Sequence, residues 1–392
     1  MKVLMVSDNK INGIGGGSLV EKRNYLGILN ALKGTDFELS VISPDEELEH
    51  LQKHFVVEKN KKMDLKARLR GHSTFYYMQF NKIKEYIDLY KPDILFLGRS
   101  RLGFIAKYVK KKYPNTKVVS CMENIEYDYI NGYFANTKLL KRIPSVLLEK
   151  KCVRRDERDA ILYADVLFFL SERDIQRARH LYKIAMGDKT IFICPICIND
   201  KINLTLKSEK KTIAFIGSLN YSSNSSAIKS FLNDVWKDNF SNNKDVELII
   251  AGRGPEQDLI DLAGKFENCR VIPEFSSLPE IIPEHSLIIA PIAKGAGMKT
   301  KIAECLSMGL PAIGSNEALV GYEDALRIDK LSSLYRSNTS SESIKAINSF
   351  LALTDDMLES IKKQNQAIFD ELYSYKRAYR VFDEAFKFLA NK

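Results

Sequence analysis

The pattern that most constrains this chain is an alternation of short apolar, β-rich runs with amphipathic stretches, met twice in series. In the first series, runs at 2–7, 38–43, 94–98, 117–120 and 166–170 are separated by helical spacing at 20–32, 81–90, 104–113 and 138–163. Strands this apolar have no solvent-facing side, and parallel neighbours need a crossover element between them. The pattern therefore predicts parallel sheets with helices on both faces. A second series, at 212–217, 246–251, 287–290 and 311–314, begins after the polar, Lys-rich stretch 199–211, which reads as a linker. The expected class is α/β with two doubly wound domains, 1–198 and 199–373, and a last amphipathic helix within 374–392. Ligands of such sheets bind beyond the carboxyl ends of the strands, so the Gly-rich turns after strands are where chemistry is expected.

A length of 392 residues suits two hydrophobic cores. The apolar start at 3–6 is broken by Ser7, Asp8 and Lys10, unlike a secretory signal, and no apolar run is long enough to cross a bilayer. A cytoplasmic location is expected, at most peripheral on a membrane. Six cysteines in a chain this size read as reduced thiols. The pair Cys194 and Cys197 ends a strand-like run and straddles Pro195, which suits neither a zinc site nor a redox helix. The net charge of +9 is uneven, since residues 1–195 hold 35 Lys and Arg against 24 Asp and Glu. Two clusters, Lys59, Lys61, Lys62, Lys66, Arg68, Arg70 and Lys107, Lys110, Lys111, Lys112, suit an anionic membrane surface or a phosphorylated acceptor, or form a solvated basic face. No nucleic-acid partner is expected, because no basic recognition helix, zinc finger or aromatic RNA-binding signature accompanies the charge.

Two glycine-rich turns stand out. In SDNKINGIGGGSLVEKRNYL, Gly13, Gly15, Gly16 and Gly17 precede a helix and leave free amides open to an anion or a sugar hydroxyl. The spacing is not a dinucleotide fingerprint. The segment LIIAPIAKGAGMKTKIAECLSMGLPAIGS, 287–315, reads as a buried strand, a turn through Gly295, Ala296, Gly297 and Met298, and a helix over 299–308. Gly309 caps that helix and a further strand follows Pro311. Lys299 and Lys301 stand at the helix start, where positive charge opposes the helix dipole unless an anion is bound. Glu304, one turn on, is placed to accept from two ribose hydroxyls.

At this segment the chain resembles glycosyltransferase family four, the retaining GT-B enzymes with two Rossmann-like domains facing across a cleft. Many members use two glutamates separated by seven residues for the donor. Here Ala296 holds the first position, and 295–301 is similar to the G-x-G-x-K/R-x-K string of a branch that replaces it. The resemblance implies Lys299 and Lys301 at the diphosphate and Glu304 at the ribose. IAFIGSLNYSSNSSAIKSFLNDVW, 213–236, resembles the branch's opening strand and turn, with Gly217, Ser218 and Asn220 facing the donor. In ELIIAGRGPEQDL, 247–259, Gly252 and Arg253 would approach the base or phosphate. Gly16 and Gly17 join the donor contacts. In CMENIEYDY, Glu123 stands where the family has a histidine, while Asn124 and Glu126 match. These two carboxylates are the candidates for orienting sugar or acceptor. The end of the chain is similar to the family's final helix, which packs back on the first domain.

The resemblance implies transfer of a sugar from a nucleotide-diphosphate sugar to a glycan, lipid-linked or protein acceptor, with retention, in bacterial surface-polysaccharide or glycoconjugate synthesis. The nucleotide sugar is the substrate and no cofactor is expected. No metal is expected either, since no D-x-D or clustered His and carboxylate motif is present. A nucleotide-sugar epimerase on the same fold, and a catalytically degenerate partner subunit, are the competing readings.

Overall fold

The computed structural model describes every residue except 14, 49, 50, 52, 59, 60, 136–142, 188, 200 and 392. Lys59, the 138–142 start of one expected helix and Asp200 of the expected linker lie outside the described residues. The chain divides into two compact units, Met1–Cys197 with Tyr375–Lys392, and Ile198–Ser374.

The first unit is built on β1 (Lys2–Val6), β2 (Glu38–Ser43), β3 (Lys53–Val56), β4 (Ile94–Leu97), β5 (Lys117–Met122), β6 (Val166–Phe169) and β7 (Thr190–Ile193). They form one sheet of order β3-β2-β1-β4-β5-β6-β7, parallel at every pairing. The second unit holds β8 (Lys211–Ile216), β9 (Val246–Ala251), β10 (Cys269–Ile272), β11 (Leu287–Ala290), β12 (Ala312–Gly314) and β13 (Leu334–Arg336). Their order is β10-β9-β8-β11-β12-β13, again all parallel. The expected α/β class with two doubly wound parallel sheets is the one adopted. In each sheet the strand order reverses once, between β1 and β4 and between β8 and β11. The loops leaving those two strands diverge to opposite faces, so each reversal opens a crevice at the carboxyl ends.

The strands absent from the sequence reading, β3, β10 and β13, are all at sheet edges. Each is short and carries Lys53, Arg270 or Arg336, so one exposed side breaks the apolar run that marks a central strand. Central strands are mostly apolar because both faces are covered, as at Val3, Leu4, Met5 and Val6, none of which touches solvent.

Helix Gly16–Ala31 crosses the last helix, Tyr375–Ala390, at Gly27, where an added Cβ would lie 2.5 Å from the Phe382 ring. Phe382 passes through that gap to stack near Phe96 and Phe168, at centroid distances of 5.8 and 5.0 Å. Burying an aromatic ring this way contributes about 2 kcal/mol, and a side chain at position 27 would cancel it. The linker lies along the second unit, with Ile202 N donating to Ser307 O and Glu284 N to Leu206 O. Cys194 follows β7 in a buried knot, where the Arg23 guanidinium donates to the carbonyls of Cys194 and Pro195, both at 2.7 Å.

Candidate functional site

In the second unit the order reversal is lined by backbone. Gly217, after β8, has φ 153°, and Gly252, after β9, has φ 158°. A Cβ on Gly252 would sit 1.7 Å from Gly217 O, so only glycine fits. Leu219 N and Asn220 N both donate to Arg253 O, at 2.8 and 3.2 Å, which fuses the two turns into one ledge. The side chains of Ser218, Asn220 and Arg253 are exposed on it.

After β11 the chain runs through Gly295, Ala296, Gly297 (φ 62°) and buried Met298 into helix Thr300–Met308. Gly309 ends that helix at φ 75°. The two lysines at its start have different surroundings. Lys299 holds the N-cap position, and its ammonium donates to Ala296 O at 3.2 Å, Gly297 O at 2.8 Å and Glu317 Oε1 at 3.0 Å. Lys301 is 6% exposed. Its ammonium donates to Asn224 Oδ1 at 3.1 Å and lies 4.2 Å over the Phe215 ring. It also reaches the ledge, 3.2 Å from where a Cβ on Gly217 would be. Burial pulls the Lys301 pKa down to about 7, with Lys299 adding to the fall and Glu304 opposing it. Burial likewise raises that of Glu304, against the pull of Lys301. Among the described residues the Glu304 carboxyl has no hydrogen-bond partner. The structure thus gathers Gly217, Gly252, the 295–298 turn, Lys301 and Glu304 at one crevice, with a buried ammonium and a carboxyl that the protein leaves largely unmatched. The conflict expected between lysine and helix dipole is eased by Glu317 at Lys299, while Lys301 has the Asn224 amide oxygen and the Phe215 ring and a lowered pKa.

In the first unit the equivalent crevice is filled with paired charge. Gly16 opens helix Gly16–Ala31, and Gly17 packs against the end of β5, where an added Cβ would lie 3.0 Å from Glu123 Oε1 and 2.8 Å from Asn9 Nδ2. The Arg99 guanidinium, just after β4, meets Asp8 at 3.4 Å, Glu123 at 3.4 Å and Glu126 at 2.5 Å. Arg101 adds a second contact to Glu126 at 2.8 Å and one to Glu149 at 3.6 Å. Both Glu126 oxygens are thereby engaged, and the two guanidiniums hold its pKa at about 2 against burial. Glu123, beside a single guanidinium and near Glu126 and Asp8, is raised by burial. Behind it Glu21 is wholly buried with neither oxygen hydrogen-bonded among the described residues. Burial and the neighbouring Glu123 and Asp8 raise it well above the carboxylate range. A cavity of about 690 Å³ opens onto this network, with Asp8, Asn9, Arg68, Ser73, Arg99 and Arg101 among its walls.

Sequence reasoning missed Asp8, Arg99, Arg101, Asn224 and Glu317. The first three directly follow β1 and β4, so strand ends at the order reversal were the available signal. Nothing in the sequence couples Asn224 to Lys301 or Glu317 to Lys299, which lie 77 and 18 positions apart.

Residues 210–352 match the family model described as Glycosyl transferases group 1. No curated protein matches the chain. Among solved structures, a glycosyltransferase from Rickettsia africae ESF-5 is similar at 15% identity and TM-score 0.67, with 100% of this chain and 99% of that one covered. Sucrose-phosphate synthase from Thermosynechococcus elongatus is similar at 11% identity and TM-score 0.71, with both chains covered completely. Anabaena HepE in complex with UDP-glucose is similar at 12% identity and TM-score 0.63, covering 99% of each. The chain thus has the fold of the GT-B glycosyltransferases, with two Rossmann-like parallel-sheet units, and its second unit contains the stretch that matches Glycosyl transferases group 1.

Proposed function

We propose that this chain is a glycosyltransferase that moves a sugar, with retention, from a nucleoside-diphosphate sugar to a hydroxyl of a lipid-linked glycan in surface-polysaccharide synthesis. The observation that carries the reading is the second unit's crevice, where buried Lys301, half-buried Glu304 and a ledge of bare backbone meet at one helix start. A diphosphate supplies the anion that Lys301 lacks, and a ribose diol supplies the donors that Glu304 lacks. The similar HepE structure holds UDP-glucose, which supports a nucleotide sugar as the donor class.

In this reaction the acceptor oxygen bonds to the anomeric carbon as the bond from that carbon to the diphosphate breaks. The diphosphate leaves with the bonding electrons and takes up the hydroxyl proton. Charge grows on the leaving oxygen, and a protonated Lys301 with the first amides of helix Thr300–Met308 stabilises it, a contribution of about 3 kcal/mol in a dry site. The scheme assigns this work to fixed protein charge rather than to a divalent ion.

The first unit would take the acceptor. Its guanidiniums are engaged by carboxylates, so the cavity presents fixed donors and acceptors and no unpaired guanidinium among them, which suits sugar hydroxyls. Glu123, less tightly paired than Glu126, is the carboxyl available to orient them. Helix Lys61–Leu69 lines this cavity with Asp64 and Arg68, and on its exposed side carries Leu65 and Leu69, 55% and 71% exposed, beside exposed Lys66 and Arg70. A basic, apolar helix face of this kind suits an anionic membrane surface and hence a lipid-borne acceptor. The second basic cluster suits it less, because Lys107, Lys110 and Lys112 pair with Asp159, Asp165 and Asp88. No described helix is long and apolar enough to cross a membrane, so association would be peripheral, on the cytoplasmic face.

A thermal-shift panel of nucleoside diphosphates and nucleotide sugars tests the donor half, since a ligand bound by the native state raises the melting temperature. One family of nucleotides should stabilise the wild type and fail with Lys301→Met; stabilisation by none would end the reading. Conversion of the donor without any acceptor would favour an epimerase instead. Flotation with phosphatidylserine vesicles tests the membrane half, with Leu65→Ser/Leu69→Ser expected to abolish it.

A further inference from the structure

The two lysines at the start of helix Thr300–Met308 make contacts that differ in kind. The Lys299 ammonium has three donors and reaches three acceptors of the protein itself, two of them the carbonyls of Ala296 and Gly297. Its own backbone is gripped as well: Tyr322 Oη donates to Lys299 O at 2.7 Å and accepts from Ala303 N at 3.1 Å. Tyr322 is wholly buried. One residue earlier, Gly321 has φ 82°, and a Cβ there would lie 2.5 Å from Met298. The loop after β12 therefore meets the loop after β11 at two successive residues, at the Met298 side chain and at both the backbone and the ammonium of Lys299.

Resting on the donor site proposed above, we propose that Glu317 and Tyr322 are positioning residues, which hold the 295–299 turn in its binding shape through Lys299, while Lys301 is the cation that meets the diphosphate. Lys299 is a tie within the protein, and the loop after β12 is a brace for the donor turn. A bound anion then finds the turn preformed, so little ordering has to occur on binding.

Two measurements separate this from its rivals. Hydrogen exchange of the 295–299 amides in the ligand-free protein reads the brace without any ligand. Glu317→Gln and Tyr322→Phe should each speed that exchange by about tenfold, while exchange in the central strands β8 and β11 stays as in wild type. Unchanged exchange at the turn in both variants would overturn the proposal. Calorimetric titration with inorganic pyrophosphate reads the consequence. Glu317→Gln should weaken binding by about tenfold with the same dependence on salt, because no cation at the anion has been removed, whereas Lys301→Met should lower that dependence. Tighter pyrophosphate binding by Glu317→Gln would also overturn it, since Glu317 would then merely compete with the anion for Lys299. Failure of the wild type to bind pyrophosphate or any nucleoside diphosphate would instead remove the donor site, and the exchange experiment would still decide the brace.

Discussion

The two order reversals of this molecule are the same feature of topology with opposite electrostatics. At β1 and β4 two arginines face four carboxylates, Asp8, Glu123, Glu126 and Glu149, and the ion pairs close among themselves. At β8 and β11 a buried ammonium has one amide oxygen and an aromatic face. Paired charge makes a polar wall whose guanidiniums are all engaged by carboxylates, and removing one partner weakens the hold on the others. Unpaired buried charge recruits an external counter-ion or gives up its proton. The first arrangement suits hydroxyl groups and the second suits a polyanion.

Four experiments break or sharpen this contrast. The largest effect belongs to the paired site. Glu126→Ala takes from Arg99 and Arg101 their nearest carboxylate, leaving only the longer contacts to Asp8, Glu123 and Glu149, and should cost about 3 kcal/mol of stability in urea unfolding. Because the Glu126 pKa of about 2 lies below the unfolded value, its contribution is present above about pH 4.3 and is lost as pH falls toward 2. At the unpaired site, Lys301→Met should leave stability unchanged or slightly higher, yet weaken nucleoside diphosphate binding by about a hundredfold, the size of a lost charge-assisted contact. Equal stability losses in these two variants would show that the sites do not differ as described.

The third concerns protons. Burial pulls the Lys301 pKa down to about 7, below the roughly 10.4 of an unfolded lysine. The unfolded chain binds more protons between these values, so this group's contribution makes the folded protein more stable as pH rises from about 7 toward 10. An anion restores the charge, so binding takes up a proton, and affinity should fall above pH 7 by up to about tenfold per pH unit. Lys301→Arg should flatten that slope, and a wild-type titration flat from pH 7 to 9 would count against the assignment. The smallest effect is the most selective. Glu304→Gln should weaken nucleoside diphosphates by about fivefold and leave inorganic pyrophosphate untouched, as expected of a carboxyl that meets the ribose alone.

Most of the framework was legible from local pattern. The central strands, the helices at 81–90, 104–113 and 299–308, and the Gly309 cap all announce themselves through apolar runs or backbone demands that a few neighbouring residues settle. The edge strands β3, β10 and β13 were not, because half-exposed strands need no continuous apolar run. Of the site, the 295–304 segment was readable because one turn and one helix carry it whole. The contacts of Glu317 and Tyr322 with Lys299 were not, since they depend on two loops from different strands meeting.

By itself the sequence determined the class of fold and which side chains the turn after β11 carries, since both follow from the order of residues along the chain. Only the tertiary structure decided which charges are satisfied: that Lys299 is tied to Glu317, that Lys301 stands over Phe215, and that Glu126 is held by Arg99 and Arg101. Burial and pairing are properties of what surrounds a group in space. Two lysines two residues apart therefore read alike in the chain and behave differently in the fold.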